Sequence, residues 1–224
     1  MNRPRIFGIV NSRTLRSLWA AKECGLDFEQ VQVGLGADGT QSEWFRKLNP
    51  NGLIPVLQDR DLTMWESLAI NLYLAKQYGK GLYPDGVEDE ARTWQWTLWT
   101  VAELEPHVVT ILEHRSLLPP EQRSQDVANL ALAEITKPLS VLDRALAGAP
   151  YLLGDKFTIA DLNVAAVLYP AYDNSWAVVH HRNVMVWLTL CWERPAAREL
   201  RALRGAEKDK ALDDYWKFFR SRSG

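Results

Sequence analysis

Asn49-Pro50-Asn51-Gly52-Leu53-Ile54-Pro55-Val56-Leu57 contains an apolar strand with a proline inside it. A proline donates nothing to a β-ladder, so Pro55 is expected at a sheet edge, at a bulge or in a cis peptide. Asp59-Arg60-Asp61 then reads as a tight three-residue turn into Leu62-Thr63-Met64-Trp65, which makes a hairpin. Glu66 to Tyr78 follows as a helix with Leu68, Leu72 and Ala75 on one side.

Upstream, Arg5 to Val10 is a compact apolar run of the kind a buried strand needs. A polar break, Asn11-Ser12-Arg13-Thr14, leads into Leu15, Leu18, Trp19 and Lys22 at helical spacing, and Gly25 stops that helix. Phe28 to Val33 alternates as a strand should. A loop rich in glycine, Gly34 to Gly39, precedes a short helix from Ser42 to Leu48. The order β-α-β-α-β-β-α points to an α/β layer. Gly79-Lys80-Gly81-Leu82-Tyr83-Pro84-Asp85-Gly86 is the best linker candidate in the chain. Beyond it only helical periodicity remains: Glu88 to Arg115 with a kink expected at Pro106, and Gln122 to Leu146 bent at Pro138. A third helix starts at Thr158, a fourth spans Asn183 to Glu193, and shorter ones cover Ala196 to Leu203 and Asp209 to Arg220. The expected parts are therefore residues 1–80, α/β, and residues 88–224, all-α.

Composition narrows the function. With 47% hydrophobic residues and a net charge of −2 over 224 residues, the chain is neither disordered nor collagen-like. The balance of charge, without basic blocks, argues against nucleic acid as the main partner. The longest apolar run, Val164 to Tyr172, falls far short of the roughly 20 residues of a membrane span, so no membrane partner is expected. Ile6 to Val10 is shorter than the roughly 7–15-residue core of a secretory signal, which favours a cytoplasmic location. Cys24 and Cys191 cannot build a disulfide framework, and neither they nor His107, His180 and His181 show metal-ligand spacing. No metal is expected. Ten tryptophans are left unexplained by composition.

Three motifs carry more. Thr158-Ile159-Ala160-Asp161 fits a capping box, and Phe157 before it can pack on Leu162 as a staple; this motif starts a helix and does no chemistry. A cis Ile54–Pro55 bond would leave the Ile54 N–H and C=O open to an extended, peptide-like ligand. Ser67, in the first turn of the next helix, lies where free N–H groups attract a carboxylate. The plainer alternative is an ordinary sheet edge and a helix cap. In Asn11-Ser12-Arg13 a hydroxyl could donate to a ligand thiolate; one such bond plus the helix dipole brings a thiol from about 8.5 towards 7. On its own, though, a serine before a helix is more often a cap.

Taken together, Asn49 to Leu57, Glu66-Ser67-Leu68-Ala69-Ile70, Phe157 to Leu162 and Arg194-Pro195 after a tryptophan-bearing helix resemble the cytosolic glutathione S-transferase family, in its serine-type, bacterial and theta-like branch. The resemblance covers roughly the first 205 residues. It implies a thioredoxin-like N-terminal domain, an all-helical C-terminal domain, glutathione as co-substrate, no metal, and a homodimer. Ser12 matches the catalytic serine, four residues before Arg16, with Asn11 as the competing candidate. Ile54, next to Pro55, would offer its backbone to the cysteinyl part of glutathione, while Glu66 and Ser67 would hold the γ-glutamyl end. Many relatives carry lysine two residues before the cis proline, where this chain has Leu53. The glycyl carboxylate then needs Arg13 or Gln41. The electrophile is expected beside Trp99, Glu103 and His107, which share a helix face at i, i+4, i+8, and beside Tyr169, Tyr172 and Trp176. Each of these could equally fill the core or a dimer interface.

Two functions of different classes follow. One is a transferase that conjugates the glutathione thiolate to small apolar or aromatic electrophiles, with peroxidase, dehalogenation or isomerisation chemistry open to the same site. The other is a non-catalytic binding or regulatory protein that keeps the fold. Leu53 favours the second; Ser12, Glu66 and Ser67 favour the first.

Overall fold

The computed structural model describes residues 3–174 and 176–206, without the side chains of Tyr172 and Ala206. The helix expected over Asp209 to Arg220, with Trp216, lies outside the described residues. Two compact units emerge: one from residues up to Lys80 together with those from Ala196 on, the other from Gly81–Pro195. The sequence reading gave 88–224 to the second part; the last described helix groups instead with the first.

The first unit runs β1 (Arg5–Phe7), α1 (Thr14–Glu23), β2 (Glu29–Val31), α2 (Glu43–Leu48), β3 (Val56–Asp59), β4 (Leu62–Trp65) and α3 (Ser67–Tyr78). The strands form one mixed sheet in the order β2-β1-β3-β4, with β1 parallel to β2 and the other pairs antiparallel. Ile6 lies opposite Leu57 and Phe7 opposite Val56, so alternation sends each pair to its own face. Phe7 and Val56 pack with Phe45 of α2, Val33 and Ile54. Leu18, Trp19, Ile70 and Leu74 of α1 and α3 are buried as well; each such aliphatic side chain contributes about 1.5–3 kcal/mol. Gly25, at φ +62°, ends α1 where a side chain would be strained.

The Ile54–Pro55 bond is cis, and β3 begins only after it, so Leu53 and Ile54 stand outside the ladder. The hairpin is tighter than expected. Asp59 pairs with Leu62, which leaves the two-residue loop Arg60-Asp61, with Arg60 at φ +55°. Asp59 is held in the strand because its buried Oδ2 accepts hydroxyl bonds from Tyr73 (2.7 Å) and Tyr78 (2.5 Å) of α3.

The second unit is helical in all its named elements. It contains α4 (Val87–Trp99), α5 (Glu105–Leu112), α6 (Gln125–Glu134), α7 (Thr136–Ala145), α8 (Ile159–Val167), α9 (Tyr169–Asp173) and α10 (Arg182–Trp192). Pro106 lacks an N–H and its ring crowds the carbonyl of Ala102. The backbone responds with a π turn over Thr100–Leu104, in which the Glu105 N–H reaches Thr100 O. A second π turn, Glu113–Leu117, follows α5. The expected Gln122–Leu146 helix is two helices that break at Ile135, just ahead of Pro138. The capping box forms: Asp161 accepts from the Thr158 N–H (3.0 Å) and from the Thr158 hydroxyl (3.2 Å). Its other oxygen accepts from the Leu152 N–H (2.8 Å) and from Trp187 Nε1 of α10 (2.9 Å). Burial pushes the Asp161 carboxyl up, against the pull of these four bonds. The chain then enters α11 (Pro195–Ala206). Among the described residues no helix is long and apolar enough to cross a membrane.

Candidate functional site

The β1–α1 turn is shaped by Gly8. At φ +137° a Cβ there would sit 2.1 Å from Thr14 Oγ1, so no other residue fits. Thr14 is thus free to bond Ser12: its N–H donates to Ser12 Oγ (3.1 Å), while that hydroxyl lies 2.7 Å from Ile9 O and 2.9 Å from Thr14 Oγ1. The single Ser12 proton points at a local acceptor, and rotation about the C–O bond redirects it without moving the backbone. The half-buried Ser12 suits a ligand contact. Asn11 is different: its amide bonds Arg204 of α11 twice, Nδ2 donating to Arg204 O (3.2 Å) and Oδ1 accepting from Arg204 Nε (3.1 Å). Arg13 is exposed at the head of α1.

Ser67 opens α3 and is 5% exposed. Arg16, one turn into α1 and itself buried, donates to Ser67 Oγ (3.4 Å), and the Ser17 hydroxyl donates to Ser67 O (3.4 Å). The α3 N-terminus therefore carries free N–H groups, a hydroxyl and a buried guanidinium on one spot, all favourable to a carboxylate. In the sequence Arg16 serves only as a spacing mark four residues after Ser12. The signal for more was there, since a cation beside Leu15, Leu18 and Trp19 lies on the face that packs. Glu66 precedes Ser67 at φ +72°, ψ 108°, a conformation most residues avoid, and its side chain is exposed.

Among the described residues the Ile54 N–H and C=O have no hydrogen-bond partner. Gln41 is spent differently than expected. Its Nε2 donates to Gly52 O (3.0 Å), and its Oε1 accepts from Arg46 Nη2 (2.5 Å). Gly52 sits at φ +61°, where a Cβ would come within 2.8 Å of that same Gln41 nitrogen. Leu53 is exposed.

The helical unit disperses the expected electrophile residues. The π turn widens the helix, so Trp99, Glu103 and His107 no longer stack four apart. Trp99 meets Trp96 edge-on at 5.1 Å, Glu103 is exposed, and His107 Nδ1 lies 3.5 Å from Glu134 of α6. Tyr169 is buried against Trp192 (4.4 Å), a core position. Trp176 is buried too, with the Arg115 guanidinium 5.6 Å above its ring. The side chain of Tyr172 lies outside the described residues. A cavity of about 270 Å3 beside α7 and α10, between Leu146, Pro150, Val186 and Leu190, holds none of the candidates. Burial, then Glu23, pushes the Cys24 thiol up to about 12, so it is no ready nucleophile. His181 is buried between Ser140 and Ala177 O.

Residues 4–76 match the family model of the glutathione S-transferase N-terminal domain, and residues 107–195 that of its C-terminal domain. The chain is 32% identical over 199 residues to glutathione S-transferase GstB of Escherichia coli, covering 87% of this chain and 96% of that protein. It is also similar, at 32% identity and a TM-score of 0.81, to a theta class glutathione S-transferase from Xanthomonas axonopodis pv. citri solved with glutathione bound. That match covers 89% of this chain and 97% of the other. Maize glutathione S-transferase I, solved with an atrazine glutathione conjugate, is 28% identical with a TM-score of 0.82, over 90% of this chain and 98% of that one. A mixed sheet with a cis proline just before its internal strand β3, followed by an all-helical unit, defines an enzyme of the thioredoxin-like, glutathione-using class. The chain belongs to the glutathione S-transferase family: it is a glutathione transferase with glutathione as co-substrate.

Proposed function

We propose that the enzyme conjugates glutathione to small apolar or aromatic electrophiles, with Ser12 stabilising the thiolate. Glutathione lies along Ile54, whose unpaired N–H and C=O receive the backbone of the cysteinyl residue. Glu66 takes the ammonium of the γ-glutamyl end. Ser67, with Arg16 behind it, takes the carboxylate. The Ser12 hydroxyl turns from Ile9 O to the sulfur, the thiol proton goes to solvent, and the thiolate attacks. The sulfur lone pair forms the C–S bond as the leaving group departs with its electrons. Most of the rate gain comes from this thiolate stabilisation and from positioning. The observation that carries the reading is the α3 N-terminus, where Arg16 meets Ser67 next to the strained Glu66.

Arg46 supplies the cation that Leu53 does not. Among the described residues it is in no ion pair, and Gln41 orients it beside Gly52. Arg46→Ala should raise KM for glutathione roughly fivefold, the effect of ~1 kcal/mol, and leave KM for γ-glutamylcysteine unchanged. The second substrate is a small apolar or aryl electrophile. Maize glutathione S-transferase I, with its atrazine conjugate, supports an aryl substrate. The same thiolate would also attack a hydroperoxide oxygen, so peroxides belong in the substrate panel. Val87, Trp94 and Leu98 are exposed at helical spacing on α4, which supports a homodimer. A cytoplasmic location fits the two free cysteines.

The test is retention on immobilised glutathione followed by turnover of a chromogenic aryl halide. Retention with turnover is expected. Retention without turnover of any electrophile or peroxide would favour a binding or regulatory protein, and loss of both would sink the glutathione site.

A further inference from the structure

We infer that Arg204 is a positioning residue for the catalytic turn: it pins Asn11, so that Ser12 alone meets the thiolate. The inference rests on the glutathione reading above. Asn11 and Arg204 lie 193 residues apart in sequence, yet they bond reciprocally. The Asn11 amide donates one Nδ2 proton to the Arg204 backbone carbonyl and accepts at Oδ1 from the Arg204 guanidinium, which fixes the orientation of the amide plane. Asn11 is 9% exposed, a depth at which an amide needs its partners. A second tie fixes the same helix: Lys22 Nζ lies 2.8 Å from Glu199 Oε1. Lys22 is in the last turn of α1 and Asn11 precedes its first turn, so α11 is fastened at both ends of α1 and runs opposite to it.

That arrangement answers a chemical problem in the turn. A primary amide and a hydroxyl on adjacent residues are both donors to sulfur. With the amide plane fixed on α11, only the Ser12 hydroxyl has a proton that rotation alone can redirect. The pin also holds the backbone from Val10 to Arg13 in place when the sulfur arrives, which preorganises the donor. Among the described residues only Arg204 bonds the Asn11 side chain.

The experiment measures the pH at which bound glutathione ionises, by thiolate absorbance, with kcat and KM, in the full chain. The proteins are wild type, Arg204→Ala, Arg204→Lys, Asn11→Ala and the Arg204→Ala/Asn11→Ala pair. Arg204→Ala should raise the ionisation pH by about half a unit and lower kcat at neutral pH several-fold. KM for glutathione should not move, because Ile54, Glu66 and Ser67 are untouched. Asn11→Ala, which also removes the bond to the Arg204 backbone carbonyl, should give a shift at least as large, the double variant no more than Asn11→Ala alone, and Arg204→Lys a partial rescue, since lysine can still donate to the amide oxygen. An Arg204→Ala enzyme that melts earlier but ionises glutathione at the wild-type pH would overturn the inference by making Arg204 purely structural. A double variant that shifts further than Asn11→Ala alone would also overturn it, because Arg204 would then act on the turn by a route other than Asn11. A wild type that binds no glutathione would remove the underlying reading and this inference together.

Discussion

At the scale of single residues, Glu66 shows how function is written as a local cost. Holding a non-glycine residue at φ +72° costs about 1–3 kcal/mol, and among the described residues no hydrogen bond or ion pair holds that exposed side chain. Glu66→Gly should therefore raise the melting temperature by a few degrees while raising KM for glutathione at least tenfold. A variant that is less stable, with KM unchanged, would deny Glu66 its role. The sequence places Ser12 in the turn before α1 and Ser67 in the first turn of α3, because helix starts are local signals; Ile54, read as part of a strand, precedes β3 instead. It could not choose between Asn11 and Ser12. The partner that holds the Asn11 amide is Arg204, far away in the chain, which no spacing rule connects to the turn. The Gln41 amide bonds Gly52 O and Arg46, contacts that are made only on folding and that no local pattern announces.

At the scale of elements, the Thr158–Asp161 box is more than a helix start. The Asp161 carboxylate also accepts from Trp187, so it joins α8 to α10 as well as capping α8. Trp187→Phe keeps most of the buried ring and removes one donor from a buried carboxylate. It should cost about 1–3 kcal/mol in denaturant unfolding, with the slope unchanged. A loss under ~0.5 kcal/mol would mean that the bond contributes little. The capping box and the Gly25 stop were legible because both are set within a few residues. The π turns were not: Pro106 announces a disturbance in the helix but not its kind, which depends on how α5 must face α6. Leu98 on α4 marks an exposed face whose partner sequence cannot name. Leu98→Glu should shift sedimentation from dimer to monomer, and a wild type that sediments as a monomer would contradict the dimer.

At the scale of the whole molecule, the tryptophans divide by task. Trp19, Trp187 and Trp192 are fully buried and fill the cores of the two units, whereas Trp44, Trp65 and Trp94 remain exposed. Stability should also depend on alkaline pH. Burial pushes Cys24 from 9.0 and Tyr73 from 10.0 each up to about 12, Tyr73 helped by its bond to Asp59, and Tyr78 moves the same way. The native state then holds more protons than the unfolded chain, so stability is complete below 9.0 and falls as pH rises towards 12. Urea midpoints should be flat up to that onset and then decline, and Cys24→Ala should delay the decline; a midpoint that rises with pH would refute this. The central claim is that Ser12 meets the glutathione thiolate while Ile54 aligns the peptide. A crystal structure with glutathione bound tests it most directly. The account predicts the sulfur within hydrogen-bond distance of Ser12 Oγ, the cysteinyl backbone paired with Ile54, and Asn11 still on Arg204. A sulfur bonded to Asn11 Nδ2, with Arg204 displaced, would contradict it.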